Sequence, residues 1–202
     1  MTDRIKKVVD GFWNNLNDML DLFEEIVTDY YNDGLTDINP NFIQLGKQGL
    51  NNCMYPVSDH QPKDINEYKF LFVKKFAEKT HHNWSKINDH DEEYFVNSFI
   101  EIFINGQDNK KKNATTTEID ISNIFDGVLN SYAPSFHQLF SENIEPEDKN
   151  ALWRYILRLI QQSCEFVYWN RKPDSTTGKF RERFLDDIKD VRNWMIQWKL
   201  IK

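Results

Sequence analysis

Apolar residues recur at alternating steps of four and three along the start of the chain, and this spacing constrains the fold more than any other feature. In an α-helix such a row lies along one side, because one turn takes about 3.6 residues. A second row, Trp13, Leu20 and Val27, runs beside the first and widens the apolar face. A face this long needs a partner along its whole length. The first row consists of Ile5, Val9, Phe12, Leu16, Met19, Phe23, Ile26 and Tyr30.

The first helix is predicted to begin at Thr2 or Asp3 and to end near Tyr31, where Asn32, Asp33 and Gly34 form a stop signal. Gly11 lies inside it and costs about 1 kcal/mol relative to alanine. A helix of this length measures about 43 Å, whereas a globule of 202 residues is about 33 Å across. We therefore expect the helix to bend or break near Gly11, or to project at one end toward another protein.

Further segments carry helical periodicity, capping residues or both. Pro146 stands where a first-turn proline belongs, and the segment after it is the most apolar in the chain, which predicts a central helix. Two polar loops are predicted at 105–118 and 173–178. The predicted helices are a short one near Phe42–Leu50, one after Asp64 with Ile65, Tyr68, Phe72 and Phe76 on its face, then Asp91–Ile104, Glu147–Trp169 and Lys179–Leu200.

These elements predict an all-α fold, a bundle of five to seven helices forming one domain over residues 1–202. Seven glycines and six prolines are few for a strand-rich sandwich, which needs more turns. Hydrophobic residues make up 40% of the chain, enough for a large core. If the domain has subdomains, the predicted boundary is the loop at 105–118.

The net charge of −7 is unevenly distributed. Residues 1–144 carry 13 basic and 23 acidic side chains, a net of −10, and residues 145–202 carry 12 and 9, a net of +3. An acidic body argues against broad adhesion to DNA or anionic membranes. Two cysteines without a CxxC motif, no signal sequence and no apolar run of about 18 residues predict an intracellular, reducing location without a membrane span.

Basic and aromatic residues interleave around the loop at 173–178, across residues 168–183. Such a patch suits phosphate, single-stranded nucleic acid or an acidic protein surface. The alternative is a solvated loop whose arginines pair with Glu182, Asp186 and Asp187. The residues of this basic-aromatic patch are Tyr168, Trp169, Arg171, Lys172, Lys179, Arg181 and Arg183.

Two segments have a composition that sometimes binds metal. Glu78 and His81 have the ExxH spacing of di-iron bundles, but no second ExxH motif follows. Histidines and carboxylates also crowd together between His81 and Glu93, where helix capping accounts for the acids. Paired carboxylates need no sequence signature, so a carboxylate enzyme stays as an alternative. We expect no catalysis, no cofactor and no metal.

Two segments resemble small uncharacterised helical proteins of nucleocytoplasmic large DNA viruses. The first is Ile87–Phe95, with its DE-x-F/Y-F pattern, and the second is Leu152–Leu157, with LW-x-Y-I/L. The resemblance covers about residues 65–169. It implies a viral protein made in the host cytoplasm and packaged in the virion. It supplies no catalytic residues.

The chain is rich in apolar residues but carries no strong motif for catalysis or cofactor binding. This favours a non-catalytic interaction protein: a scaffold, an assembly factor or a virion component. Its partner is predicted to be another protein or a second copy of the chain. The predicted partner face is the second apolar row, Trp13, Leu20 and Val27. The alternative function is a nucleic-acid-associated factor that uses the basic-aromatic patch.

Overall fold

The computed structural model describes residues 2–54, 65–94, 135, 137–140, 144–170 and 187–202. This part of the chain is helical and has no strand, which confirms the all-α prediction. A 3-10 turn, His81–Asn83, joins α3 to α4. The α-helices are α1 (Asp3–Asn32), α2 (Pro40–Met54), α3 (Ile65–Thr80), α4 (Trp84–Asn88), α5 (Pro146–Trp169) and α6 (Asp187–Gln197).

Helix α1 begins and ends at the signals expected from the sequence. The Thr2 hydroxyl accepts a hydrogen bond from the Ile5 backbone N–H at 3.4 Å, which caps the first turn. At the other end Gly34 takes a left-handed conformation, with φ of 71°. The N–H groups of Gly34 and Leu35 then bond back to the carbonyls of Tyr31 and Tyr30. This is the Schellman motif, which satisfies carbonyls that the helix leaves free.

Helix α1 continues through Gly11 without a break, and α5 places a side chain beside this glycine. A Cβ atom on Gly11 would lie 2.8 Å from Nε2 of Gln162 in α5. The same Gln162 amide accepts a hydrogen bond from Asn15 at 2.8 Å. The glycine therefore leaves room for the amide end of the Gln162 side chain against α1. The core side chains of α1 extend from Ile5 to Tyr30 and the helix is continuous, so the expected break near Gly11 is wrong, whereas Tyr31 at its C-terminal end is exposed.

Helices α1 and α5 form the frame of the fold and run antiparallel. Tyr30 near the end of α1 donates to Asp148 in the first turn of α5 at 3.2 Å. Arg4 at the start of α1 lies against Trp169 at the end of α5. Pro146 occupies the first turn of α5, as expected, with Glu147 and Asp148 near the positive end of the helix dipole.

The remaining helices close around this pair. Helix α3 packs on both α1 and α5, α2 packs on α1, and α6 packs on α5. Rings join the layers: Phe12 of α1 meets Phe76 of α3 edge-on at 5.1 Å between ring centroids, and Phe70 of α3 meets Phe166 of α5 at 5.0 Å. The buried side chains of these helices form one continuous core.

Two helix ends use the Schellman motif without glycine. His90, after α4, and Lys199, after α6, both have φ of 58°, and the residues around them make the same pair of backbone hydrogen bonds as Gly34 and Leu35. A side chain in this conformation costs about 1 kcal/mol. The His90 ring stacks on Trp153 of α5, 4.4 Å away and nearly parallel, and this contact offsets part of the cost.

The helices predicted from the sequence at α1, α3 and α5 are confirmed, and their ends lie within a few residues of the predicted ones. Helix α2 extends beyond the predicted Phe42–Leu50 at both ends. Asp91 caps residues 92–94, since its carboxylate accepts from the Tyr94 N–H at 3.0 Å. The predictions for Asp64, the loops at 105–118 and 173–178, and most of Asp91–Ile104 lie outside the described residues.

Candidate functional site

The outer face of α1 carries a row of exposed acids opposite its buried apolar rows. Their steps of three and four residues place them along one side of the helix. The row is long, since fifteen residues of helix rise about 22 Å. We call this side the acidic face; it consists of Asp18, Asp21, Glu25, Asp29 and Asp33.

The acidic face is unfavourable for the helix that carries it. Glu25 lies four residues from both Asp21 and Asp29, and like charges at this spacing destabilise a helix by about 0.2–0.5 kcal/mol per pair. The last turn has no basic residue, although the helix dipole favours cations there. The stability of the isolated chain therefore does not account for the number of acidic residues on this side of α1.

One cation of the chain already lies on the edge of this face. Lys47 of α2 forms ion pairs with both Asp21 and Glu24. The hydrogen bond from Lys47 holds the pKa of Glu24 below its usual value, against the opposing effect of burial. Within the described residues, no such pair involves Glu25, Asp29 or Asp33. The C-terminal half of the face therefore has no partner cation among the described residues.

Two large apolar side chains are exposed at the C-terminal end of α1, one in its last turn and one just after it. Tyr31 is 45% exposed and Leu35 is 63% exposed. The Schellman motif at Gly34 holds Leu35 at the end of the helix, through the hydrogen bond from its N–H to the Tyr30 carbonyl. This end of α1 therefore exposes a ring and an aliphatic chain in the same stretch of sequence as two carboxylates.

The predicted partner face, in contrast, is interior. Trp13, Leu20 and Val27 are 2%, 5% and 0% exposed. Trp13 packs on Phe72 of α3, with ring centroids 4.9 Å apart, and its indole N–H donates to the Lys69 carbonyl at 3.3 Å. This row is covered by the helices of the same chain. The prediction that it meets a partner protein is corrected by this burial.

Of the basic-aromatic patch, only Tyr168 and Trp169 lie among the described residues. The Arg4 guanidinium stacks on the Trp169 ring, 3.4 Å from its centroid, and Tyr168 contacts the same ring edge-on at 4.7 Å. The Trp169 indole nitrogen is buried, and none of the described residues offers it a hydrogen-bond acceptor. Arg171, Lys172, Lys179, Arg181 and Arg183 lie outside the described residues, so the grouping of this patch stays a prediction.

Glu165 lies one turn before Trp169 and is partly buried. Burial raises the pKa of its carboxyl group, against the opposing charges of Arg158 and Arg4. A carboxyl whose folded-state pKa is raised adds stability below its unfolded pKa, and this contribution is lost as the pH rises through the folded pKa. Charged Glu165 is thus unfavourable for folding at neutral pH.

We expect Glu165→Gln to raise the free energy of unfolding at pH 7, because it removes a partly desolvated charge. The gain should be below about 1 kcal/mol, since solvent screens a partly exposed carboxylate. It should disappear near pH 3.5, where the wild-type carboxyl is neutral. Urea denaturation at both pH values measures this, with exposed Glu93→Gln as the control. A gain of equal size at pH 3.5 would contradict the assignment.

The histidine-rich segment is used in local structure. The His81 ring nitrogen Nδ1 lies 2.9 Å from the Glu78 backbone carbonyl, so within the ExxH spacing the histidine ring contacts the backbone of the glutamate. Glu92 pairs with Lys149 of α5 at 3.0 Å and with His90 at 3.5 Å. Among the described residues, no group of three or more His, Cys, Asp or Glu side chains is arranged to hold a metal ion.

Comparisons with known proteins add no relative: no family model, no curated protein and no solved structure matches the chain. The resemblance to viral helical proteins therefore stays a prediction. Within the described part, none of the helices combines the length and the apolar character needed to cross a membrane.

Proposed function

We propose that this chain is a non-catalytic interaction protein, a scaffold, assembly factor or virion component, and that it binds its partner through the C-terminal turn of α1. The observation that carries the proposal is the exposure of Tyr31 and Leu35 at the end of α1, which also carries Asp29 and Asp33, two acids with no ion pair within the described residues. Burying both apolar side chains against a partner would favour binding, and the surrounding carboxylates would select which surface binds.

The charge of the acidic face defines the kind of partner. A basic surface with an apolar centre complements it, and Lys47 on Asp21 and Glu24 provides an example of such a cation within the chain. Two copies meeting through the same face would bring like charges together, which disfavours a symmetric dimer through this turn. The proposed partner is therefore a different protein, or a different and basic surface of a second copy.

Leu35 and Leu45 make a matched pair for the test. Both are leucines, they are 63% and 61% exposed, and they lie on separate elements, Leu35 after α1 and Leu45 within α2. We expect Tyr31→Ser combined with Leu35→Ser to weaken partner binding by about tenfold, which corresponds to about 1.4 kcal/mol. Leu45→Ser should leave binding unchanged. Co-purification from the cells or particles that contain the protein, followed by titration of the recovered partner, measures both.

A separate variant tests how much charge contributes to partner binding. Asp29→Lys reverses one carboxylate of the turn and should weaken binding most at low salt, because screening removes the electrostatic attraction at high salt. Glu93→Lys, exposed and on another segment, is the control. A strictly monomeric protein with no recovered partner, or equal binding by the Leu35 and Leu45 variants, would contradict the proposal.

The alternative function, a nucleic-acid-associated factor, has less support among the described residues. Base stacking needs a free aromatic face, and Arg4 already occupies one face of Trp169. The basic residues that would hold phosphate lie outside the described ranges, so this function stays a prediction. Binding of labelled single-stranded DNA or RNA at two salt concentrations, with and without Arg181→Glu and Arg183→Glu, is its test.

A further inference from the structure

We draw no further inference here: the strongest candidate, the cluster of Arg4, Glu165 and Trp169 where the first turn of α1 meets the last turn of α5, belongs to the basic-aromatic site already described, and nothing in the described residues shows what ligand would accept from its buried indole N–H.

Discussion

Replacing Phe12 by alanine is expected to lower the free energy of unfolding by about 3–5 kcal/mol. The ring is 0% exposed and packs between α1 and α3, against Phe76 at 5.1 Å and Phe72 at 6.4 Å between centroids. Alanine would leave a cavity and would remove an edge-to-face aromatic contact. A domain of this size is stabilised by about 5–15 kcal/mol in total, so the loss is a large fraction.

Equilibrium urea denaturation, followed by circular dichroism, measures the effect. Phe12→Leu is the graded control, because it keeps most of the apolar volume and should cost clearly less than alanine. Phe12 also belongs to the heptad row predicted from the sequence to be interior. A loss below about 1 kcal/mol for Phe12→Ala would mean that the α1–α3 contact contributes little to stability.

The sequence predicted α1 well because its signals are local. The spacing of the apolar row, the start at Thr2 or Asp3 and the stop at Gly34 are each readable within a few residues, and each appears in the structure as expected. The same holds for α5, where Pro146 marks the start and the apolar content indicates a central position. Local signals of this kind determine where helices begin and end.

The features that the sequence did not predict depend on distant residues. Nothing near Gly11 indicates that Gln162, far along the chain, fills its free space. Nothing near His90 predicts a left-handed residue, because glycine usually ends a helix in this way, and the stacking partner Trp153 lies on α5. Such pairings follow from how helices assemble and not from periodicity.

The candidate site shows the same division. The spacing of the acids on α1 is readable in the sequence, but their pairing depends on where Lys47 of α2 lies. The sequence shows that Leu35 is an apolar residue after a glycine. Whether its side chain is exposed depends on how the chain folds after α1. An apolar row indicates that a helix has a partner, but it does not distinguish a neighbour in the same chain from a second protein.

The second apolar row allows this distinction to be tested directly. We expect Val27→Asp to lower the free energy of unfolding by at least about 4 kcal/mol, because Val27 is 0% exposed and a carboxylate there would lose apolar burial and gain no partner. Leu35→Asp makes a comparable change at a 63% exposed position and should cost no more than about 0.5 kcal/mol.

The two variants give opposite patterns under the two interpretations of the row. If Val27 is interior, as its burial indicates, Val27→Asp unfolds the protein or lowers its stability sharply, and Leu35→Asp stays folded but loses the proposed partner. If the row faced a partner protein, Val27→Asp would remain as stable as the wild type and would lose binding. Chemical denaturation of both variants, alongside the partner titration, separates these outcomes because stability and binding are measured independently.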